Sequence, residues 1–358
     1  MSQNTRTRTV IGWDIGGAHV KAVMLNAAGH VLAANQVYCP LWRGLHELDL
    51  AMDIILREFN AENHQVTMTG ELADIFPNRH AGVVQIAQFV AQKLFNQKPA
   101  AQKVQCNVKF YAGNQGFVGI EGVESNTAEI ASMNWLASTQ YIANQVQQGL
   151  FIDVGSTTTD IALMSDSRVQ VRGFDDAARM QYDELVYTGV VRTPLMALTQ
   201  KIAFAGQRVN VAAEHFATTA DVYTLTGDLA AAENMAETAD GADKSIEASA
   251  RRIARMIGHD AQDASLSVWR NLADAFKEAQ FNLIKQAALI QISRLEDCQN
   301  LHIIGAGAGE FIVCELAKQL GFKYVSVSDF IHAENHAIKT MAQVCFPAYA
   351  VAGLGLHS

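Results

Sequence analysis

Val10-Ile11-Gly12-Trp13-Asp14-Ile15-Gly16-Gly17 is echoed by Leu150-Phe151-Ile152-Asp153-Val154-Gly155-Ser156-Thr157. Each copy is an apolar strand ending in an aspartate, then a turn of small residues, then a second apolar strand, at 19–26 in the first copy and 159–164 in the second. A carboxylate at a strand end can hold Mg²⁺ directly or through water. A Gly/Ser/Thr turn lets backbone N–H groups approach phosphate oxygens, because no side chain stands in the way. One Asp-x-Gly turn is an ordinary hairpin feature. Two copies, each opening one half of the chain, point to a duplicated domain with facing phosphate loops.

Outward from these stretches, the first half reads as strands at 9–14, 19–26 and 31–38, a helix at 44–59, a strand near 65–69, a helix at 83–94 and a strand at 104–112. After Gly113, Gly116 and Gly119 a helix is predicted around 128–147. The second half restarts with strands at 150–153, 159–164 and 168–173, followed by an insertion at about 175–263 in which 246–257 is helical. A helix at 272–295, a strand at 301–304, a glycine-rich turn, a helix at 310–320, a strand at 323–328 and a helix at 335–343 complete it. Residues 348–356 are expected to pack back on the first domain. Three strands followed by alternating helices and strands make a mixed sheet covered by helices. The expected division is residues 1–148 with 345–358 as one domain and 149–344 as the other.

At 358 residues the chain can bury two cores. Apolar residues make up 49% and charged residues 18%, a globular balance. The net charge of −9 and the absence of a basic run argue against nucleic acid or an anionic membrane as partner. Five scattered cysteines without a C-x-x-C pair fit a reducing compartment. No apolar stretch has the length of a signal peptide core or a membrane span, so a cytoplasmic location is expected.

Three constellations can carry chemistry. In the first, Asp14 is followed by Gly16, Gly17, Ala18 and Lys21. Val20, Ala22, Val23 and Met24 are apolar, so both faces of that strand are covered, and Lys21 is expected to reach a phosphate as a point charge. In the second, Asp153 precedes Gly155, Ser156, Thr157, Thr158, Thr159 and Asp160; four consecutive hydroxyls can donate to an oxyanion. Asp160 is a metal ligand, a base or a hairpin-closing acceptor, three roles the sequence leaves open. The third is Gly305-Ala-Gly-Ala-Gly309. Its third glycine falls one residue early for a dinucleotide fingerprint, although Asp329 follows at a plausible distance. Gly305, Gly307 and Gly309 are therefore assigned to a nucleotide or another ligand. His332 and His336, one helical turn apart, lack a third zinc ligand and read as packing or capping residues. Arg251, Arg252 and Arg255 read as a solvated helix face.

The paired hairpins, Lys21 seven residues after Asp14 and the late glycine-rich turn together resemble the superfamily of acetate kinase, sugar kinases, heat-shock chaperone ATPases and actin. The hairpin Phe151-Ile-Asp-Val-Gly-Ser-Thr-Thr-Thr-Asp160 is most similar to the hydantoinase/oxoprolinase branch. Along nearly the whole chain, five stretches resemble the phenoxymethyl-furan-methylamine synthase family of methanofuran biosynthesis. They are Met68-Thr-Gly-Glu-Leu-Ala-Asp74, Tyr187-Thr-Gly-Val-Val-Arg-Thr-Pro194, His215-Phe-Ala-Thr-Thr-Ala-Asp-Val-Tyr223, Asp240-Gly-Ala-Asp-Lys-Ser245 and Glu334-Asn-His-Ala-Ile338.

The resemblance implies an α/β fold of two ribonuclease-H-like, actin-type domains with mixed sheets flanked by helices and a ligand cleft between them. It implies a transferase that joins an aminomethyl-furanyl-methyl diphosphate to the phenol of a tyrosine or tyramine derivative and releases pyrophosphate. Mg²⁺ on Asp14 and Asp153, with Lys21 and the two loops, would stabilise the leaving group. Asp221 or Asp160 would be the base toward the phenol, and Glu71, Asp74, Arg192, Thr218, Thr219 and Tyr223 would recognise substrate, while Glu71 and Asp74 also read as helix N-terminal charge, Arg192 as part of a strand-edge turn and Tyr223 as core. ATP is not required in this reading, and homo-oligomerisation is left open. The alternative is an ATP-dependent hydrolase or small-molecule kinase of the hydantoinase/oxoprolinase type. A nucleotide-switched scaffold and a dehydrogenase are the remaining competitors.

Overall fold

The computed structural model describes residues 9–96, 106–231 and 233–356; the first two residues of the strand predicted at 104–112 lie outside them. The chain divides into two compact units, Met1–Gln147 with Val327–Ser358, and Gln148–Ser326.

The first unit carries a sheet of β1 (Val10–Ile15), β2 (His19–Leu25), β3 (Val31–Tyr38), β4 (Asn63–Met68), β5 (Asn107–Tyr111) and β6 (Phe117–Gly119). Its order is β3-β2-β1-β4-β5-β6. β1 runs antiparallel to β2 and parallel to β4, and β5 is parallel to β4. Ile11, Trp13 and Ile15 alternate onto one face, where they meet Leu48, Met52, Ile86 and Val90 from helices Leu45–Leu56 and Arg79–Asn96. Each such fully buried side chain contributes about 1.5–3 kcal/mol. The indole N–H of Trp13 is satisfied by Nδ1 of His64 at 3.1 Å. On the opposite face lies helix Phe346–Leu356. It comes so close that a Cβ on Gly12 would stand 1.9 Å from the carbonyl oxygen of Ala348, which explains a glycine inside a central strand.

The second unit repeats the arrangement with β7 (Gln148–Val154), β8 (Thr159–Ser165), β9 (Arg168–Val169) and β10 (Leu185–Val186). A hairpin of β11 (Lys201–Phe204) and β12 (Gln207–Asn210) follows, then β13 (His302–Ala306) and β14 (Lys323–Ser326). The main sheet has the order β10-β8-β7-β13-β14, with β9 also on β8. β7 is antiparallel to β8 and parallel to β13. A central strand with an antiparallel hairpin partner on one side and parallel strands on the other is the ribonuclease-H-like plan, present once in each unit. Helices Leu266–Ile292 and Glu310–Leu320 cover the sheet through Phe276, Ile284, Val313 and Leu316.

Five expectations need correction. The chain returns to the first unit at Val327 instead of 345, because Val31 donates to the carbonyl of His332 at 2.8 Å and helix His336–Val344 packs on β3. The helix predicted at 128–147 is broken: Ser132 has φ 55, and the regular helix is Asn134–Ala143. The strand predicted at 168–173 stops at Val169, since the backbone N–H groups of Arg172 and Gly173 turn to the buried carboxylate of Glu184 at 2.8 and 2.9 Å. The segment from 175 is thus only partly an insertion, because β10 within it joins the main sheet. His332 lies outside the helix that opens at His336 with Asn335 as its cap, so the one-turn spacing of the two histidines does not apply. Among the described residues no helix is long and apolar enough to cross a membrane.

Candidate functional site

In the first unit Asp14 is the penultimate residue of β1, directly opposite Lys21 on β2 and beside Thr67 on β4. The carboxylate is 5% exposed. Burial pushes it above the usual carboxylate range, while the charge of Lys21 and a hydrogen bond from Asn134 pull the other way. Its Oδ1 is buried without a hydrogen-bond partner among the described residues, as is Oγ1 of Thr67. Buried polar atoms are rarely left so, and an uncommitted carboxylate oxygen suits a cation. The loop beyond is closed by Gly16 N–H donating to the carbonyl of His19 at 2.9 Å. It is fastened by Leu41 N–H to the carbonyl of Gly17 (3.1 Å) and Cys39 N–H to that of Ala18 (2.8 Å). A Cβ on Gly17 would meet nothing within 4 Å, so this side of the loop is open to a ligand.

In the second unit Asp153 stands opposite Asp160 across the β7–β8 ladder. Two facing carboxylates repel, and the buried guanidinium of Arg179 answers Asp160 with a 2.8 Å ion pair. Burial raises Asp160 above the usual range; Arg179 opposes that rise and Asp176 adds to it. Ser156, Thr157 and Thr158 are half-buried, whereas Thr159 turns inward and donates to the carbonyl of Thr188 at 2.7 Å. The loop closes through Gly155 N–H to the carbonyl of Thr158 at 2.9 Å. A second arm grips it: Val190 donates to Gly155, and Val191 and Arg192 donate to Ser156, at 2.9–3.1 Å. Arg192 is thereby fixed beside the hydroxyl turn with an exposed side chain.

Several assigned residues have other work. Gly305, Gly307 and Gly309 are glycines because the protein itself fills the space beside them. A Cβ would come within 2.9 Å of the Tyr324 ring at Gly305, 2.3 Å of Asp153 Oδ1 at Gly307 and 2.4 Å of Val154 at Gly309. Gly309 N–H also donates to the carbonyl of Val154 at 2.9 Å. The turn buttresses the end of β7, and its glycines are no longer grounds for a nucleotide site. Asp221 is not free to act as a base. One oxygen takes Arg252 Nε at 2.8 Å and the hydroxyl of Ser249 at 2.9 Å, and the other caps helix Thr219–Thr226 at the N–H of Thr218. Arg252 is accordingly buried, unlike the solvated face expected of its cluster.

Tyr223 is a core residue, and its hydroxyl donates to Oε1 of Gln280 at 2.6 Å. Gln280 Nε2 in turn donates to the carbonyl of Gly189 at 2.8 Å, where Thr219 also donates. These buried side chains hold the 189–192 arm from behind. Thr218 caps the helix. Glu71 is buried and accepts the hydroxyl of Ser132 at 2.5 Å, whereas Asp74 is exposed. Asn134, Thr67, Gly189 and Gln280 escaped the sequence reading. Only Gln280, a polar residue among Phe276, Phe281 and Ile284, left a recognisable signal.

The fold thus brings Asp14, Lys21 and the open 16–17 turn together in the first unit, and Asp153, the 155–158 turn and Arg192 together in the second. Among the described residues no three His, Cys, Asp or Glu side chains cluster as a protein-only metal cage. Each set holds a strand-end carboxylate, and a hydrated ion needs only one or two of these from a protein.

The chain is similar to a (4-{4-[2-(gamma-L-glutamylamino)ethyl]phenoxymethyl}furan-2-yl)methanamine synthase of Methanocaldococcus jannaschii, with 27% identity over 96% of this chain and 97% of that protein. A protein of the same name from Methanococcus vannielii is 28% identical over 53% of this chain and 86% of its own length. Among solved structures, a nucleotide-free acetone carboxylase matches in fold with a TM-score of 0.55 at 11% identity, covering 97% of this chain and 70% of that one. The family model for hydantoinase/oxoprolinase matches residues 62–338, which run from β4 through β6 of the first unit, across the whole second unit and into the start of the return segment, and the chain belongs to the hydantoinase/oxoprolinase family.

Proposed function

We propose that this protein is a transferase that condenses an aminomethyl-furanyl-methyl diphosphate with the phenol of a tyrosine or tyramine derivative, in methanofuran-type cofactor biosynthesis for tetrahydromethanopterin-linked one-carbon metabolism. The observation that carries this reading is the end-to-end similarity to a synthase whose product is an aryl furanylmethyl ether bearing an amine. Such an ether is made by alkylating a phenol oxygen. The residues gathered around the two loops support it.

The phenol oxygen forms a bond to the exocyclic CH₂ carbon as the bond from that carbon to the diphosphate oxygen breaks. The electron pair leaves with pyrophosphate, and the phenol proton passes to a base. A furan stabilises positive charge on that carbon, so the barrier lies in the departure of a highly charged group. Lys21 and the N–H groups at 17–18 would stabilise the departing oxygens as their charge grows, and Ser156, Thr157, Thr158 and Arg192 have the donor chemistry for the same task. When bound, Mg²⁺ neutralises pyrophosphate charge; Asp14, with its buried uncommitted Oδ1, would hold it, and Asp153 is the corresponding carboxylate of the second unit. Asp160 is the remaining candidate base, and its raised basicity suits proton abstraction.

The test is to incubate the protein with the furan diphosphate, Mg²⁺ and either tyrosine or γ-glutamyl-tyramine, without ATP, and to follow product mass and pyrophosphate. One pyrophosphate per ether formed is expected. Ether formation or hydrolysis only with ATP would favour the ATP-dependent hydrolase or kinase instead.

A further inference from the structure

Three rings beside the first loop have no role in the chemistry so far. His19 and Tyr38 meet edge to face with centroids 5.8 Å apart, and Tyr38 meets Trp42 in the same manner at 6.4 Å. Strand register places them. Asp14 is opposite Lys21, Lys21 is opposite Gln36, and His19 is opposite Tyr38. Directly paired residues share a sheet face, and so do residues two apart on one strand. Asp14, Lys21, His19 and Tyr38 therefore project from one face, with the His19–Tyr38 row about 6–7 Å beyond the Asp14–Lys21 row. After Tyr38 the chain is tied to the loop by the N–H groups of Cys39 and Leu41, and this sets Trp42 in the short 3₁₀ turn Leu41–Arg43.

Tyr38 is 41% and Trp42 42% exposed, while the other three tryptophans, Trp13, Trp135 and Trp269, are buried. Exposed rings that contact one another beside a polar loop mark a surface that meets something apolar. Aromatic faces also attract cations and stack on other rings. The diphosphate proposed above carries a furan ring, an ammonium on its aminomethyl arm and a carbon that becomes positive as the leaving group departs.

We propose that His19, Tyr38 and Trp42 form the site that receives the furan ring and its ammonium arm, while the adjoining loop and Lys21 hold the diphosphate. This rests on the transferase reading for the identity of the ligand. It makes the three rings determinants of substrate specificity that no phosphate-loop pattern contains.

The probe is the aminomethyl-furanyl methanol, which keeps ring and ammonium and lacks the diphosphate, so binding is measured without turnover. Titration should shift the tryptophan emission of the wild type, and Trp42→Phe should abolish that shift while leaving a ring in place. Trp42→Ala and Tyr38→Ala should each weaken binding about tenfold, with pyrophosphate affinity and melting temperature unchanged. Furfuryl alcohol without the amine should bind more weakly than the probe to the wild type but equally to Trp42→Ala. An emission change that survives in Trp42→Phe, unchanged affinity in both alanine variants, or no binding of the probe to wild type would overturn the proposal. Ether formation with Trp42-independent furan binding removes only this proposal; Trp42-dependent binding without ether formation removes only the transferase reading.

Discussion

The two strand-end aspartates share a backbone setting and differ in what faces them. In the first unit Asp14 looks across its ladder at Lys21, and one of its oxygens is buried without a hydrogen-bond partner among the described residues. In the second unit Asp153 looks at another carboxylate, Asp160, whose charge is answered from behind by the buried Arg179. Both loops are fastened by a downstream segment, through Cys39 and Leu41 in one and Val190, Val191 and Arg192 in the other. Duplication has kept the strand, turn and fastening, while the charge beside each aspartate has diverged. In the first unit the cation Lys21 faces the aspartate across the ladder; in the second Arg179 is committed to Asp160, and the exposed Arg192 lies beside the turn.

If that contrast is right, the two cations fail differently. Arg179→Met should give the largest effect, a loss of stability of about 3–5 kcal/mol measured by denaturant melts, because it strands a largely buried carboxylate. Retention of stability with loss of turnover would mean that Arg179 faces the ligand instead. Lys21→Met should do the reverse, costing on the order of 10²-fold in kcat/KM, about 2.7 kcal/mol, with unchanged melting. Its effect on diphosphate KM should exceed that on phenol KM; equal effects would remove Lys21 from phosphate contact.

Asp221→Asn sharpens the boundary between scaffold and site. It should lower stability by about 1.5–3 kcal/mol and leave kcat of the folded enzyme unchanged, since its carboxylate caps a helix and pairs with Arg252. A collapse of kcat with intact melting would restore it as the base. Arg192→Ala should be the mildest, about tenfold in diphosphate KM, with no change in stability. No change in KM would take the exposed guanidinium out of the site.

The same contrast shows what could be read in the sequence. The Asp-Gly hairpins were legible because strand period, a terminal carboxylate and a small-residue turn are all local signals; β3, predicted at 31–38, is observed as Val31–Tyr38. Whatever depends on a distant partner was not legible. Nothing near Asp221 announces Arg252, thirty-one residues on, and nothing near Tyr223 announces Gln280. The glycines at 305, 307 and 309 look the same in sequence whether they admit a phosphate or the end of β7. The helix predicted across 128–147 failed at Ser132, where a left-handed residue turns the chain and its hydroxyl meets Glu71. Asn134 could become a partner of Asp14 only after that break.

Asp14 carries the central claim, that the first loop keeps a buried carboxylate charged for the sake of a cation and a diphosphate. A group whose pKa is raised by folding stabilises the fold below its unfolded value, near 3.9, and that contribution is lost as pH rises through the folded value. The decisive measurement is thermal melting of wild type and Asp14→Asn across pH, with and without Mg²⁺ and pyrophosphate. At neutral pH without ligand the variant should melt roughly 2–4 °C higher, the difference should shrink as pH falls through the raised pKa, and stabilisation by Mg²⁺-pyrophosphate should be confined to the wild type. A variant that melts lower at neutral pH, or that is still stabilised by Mg²⁺-pyrophosphate as strongly as wild type, would contradict the account.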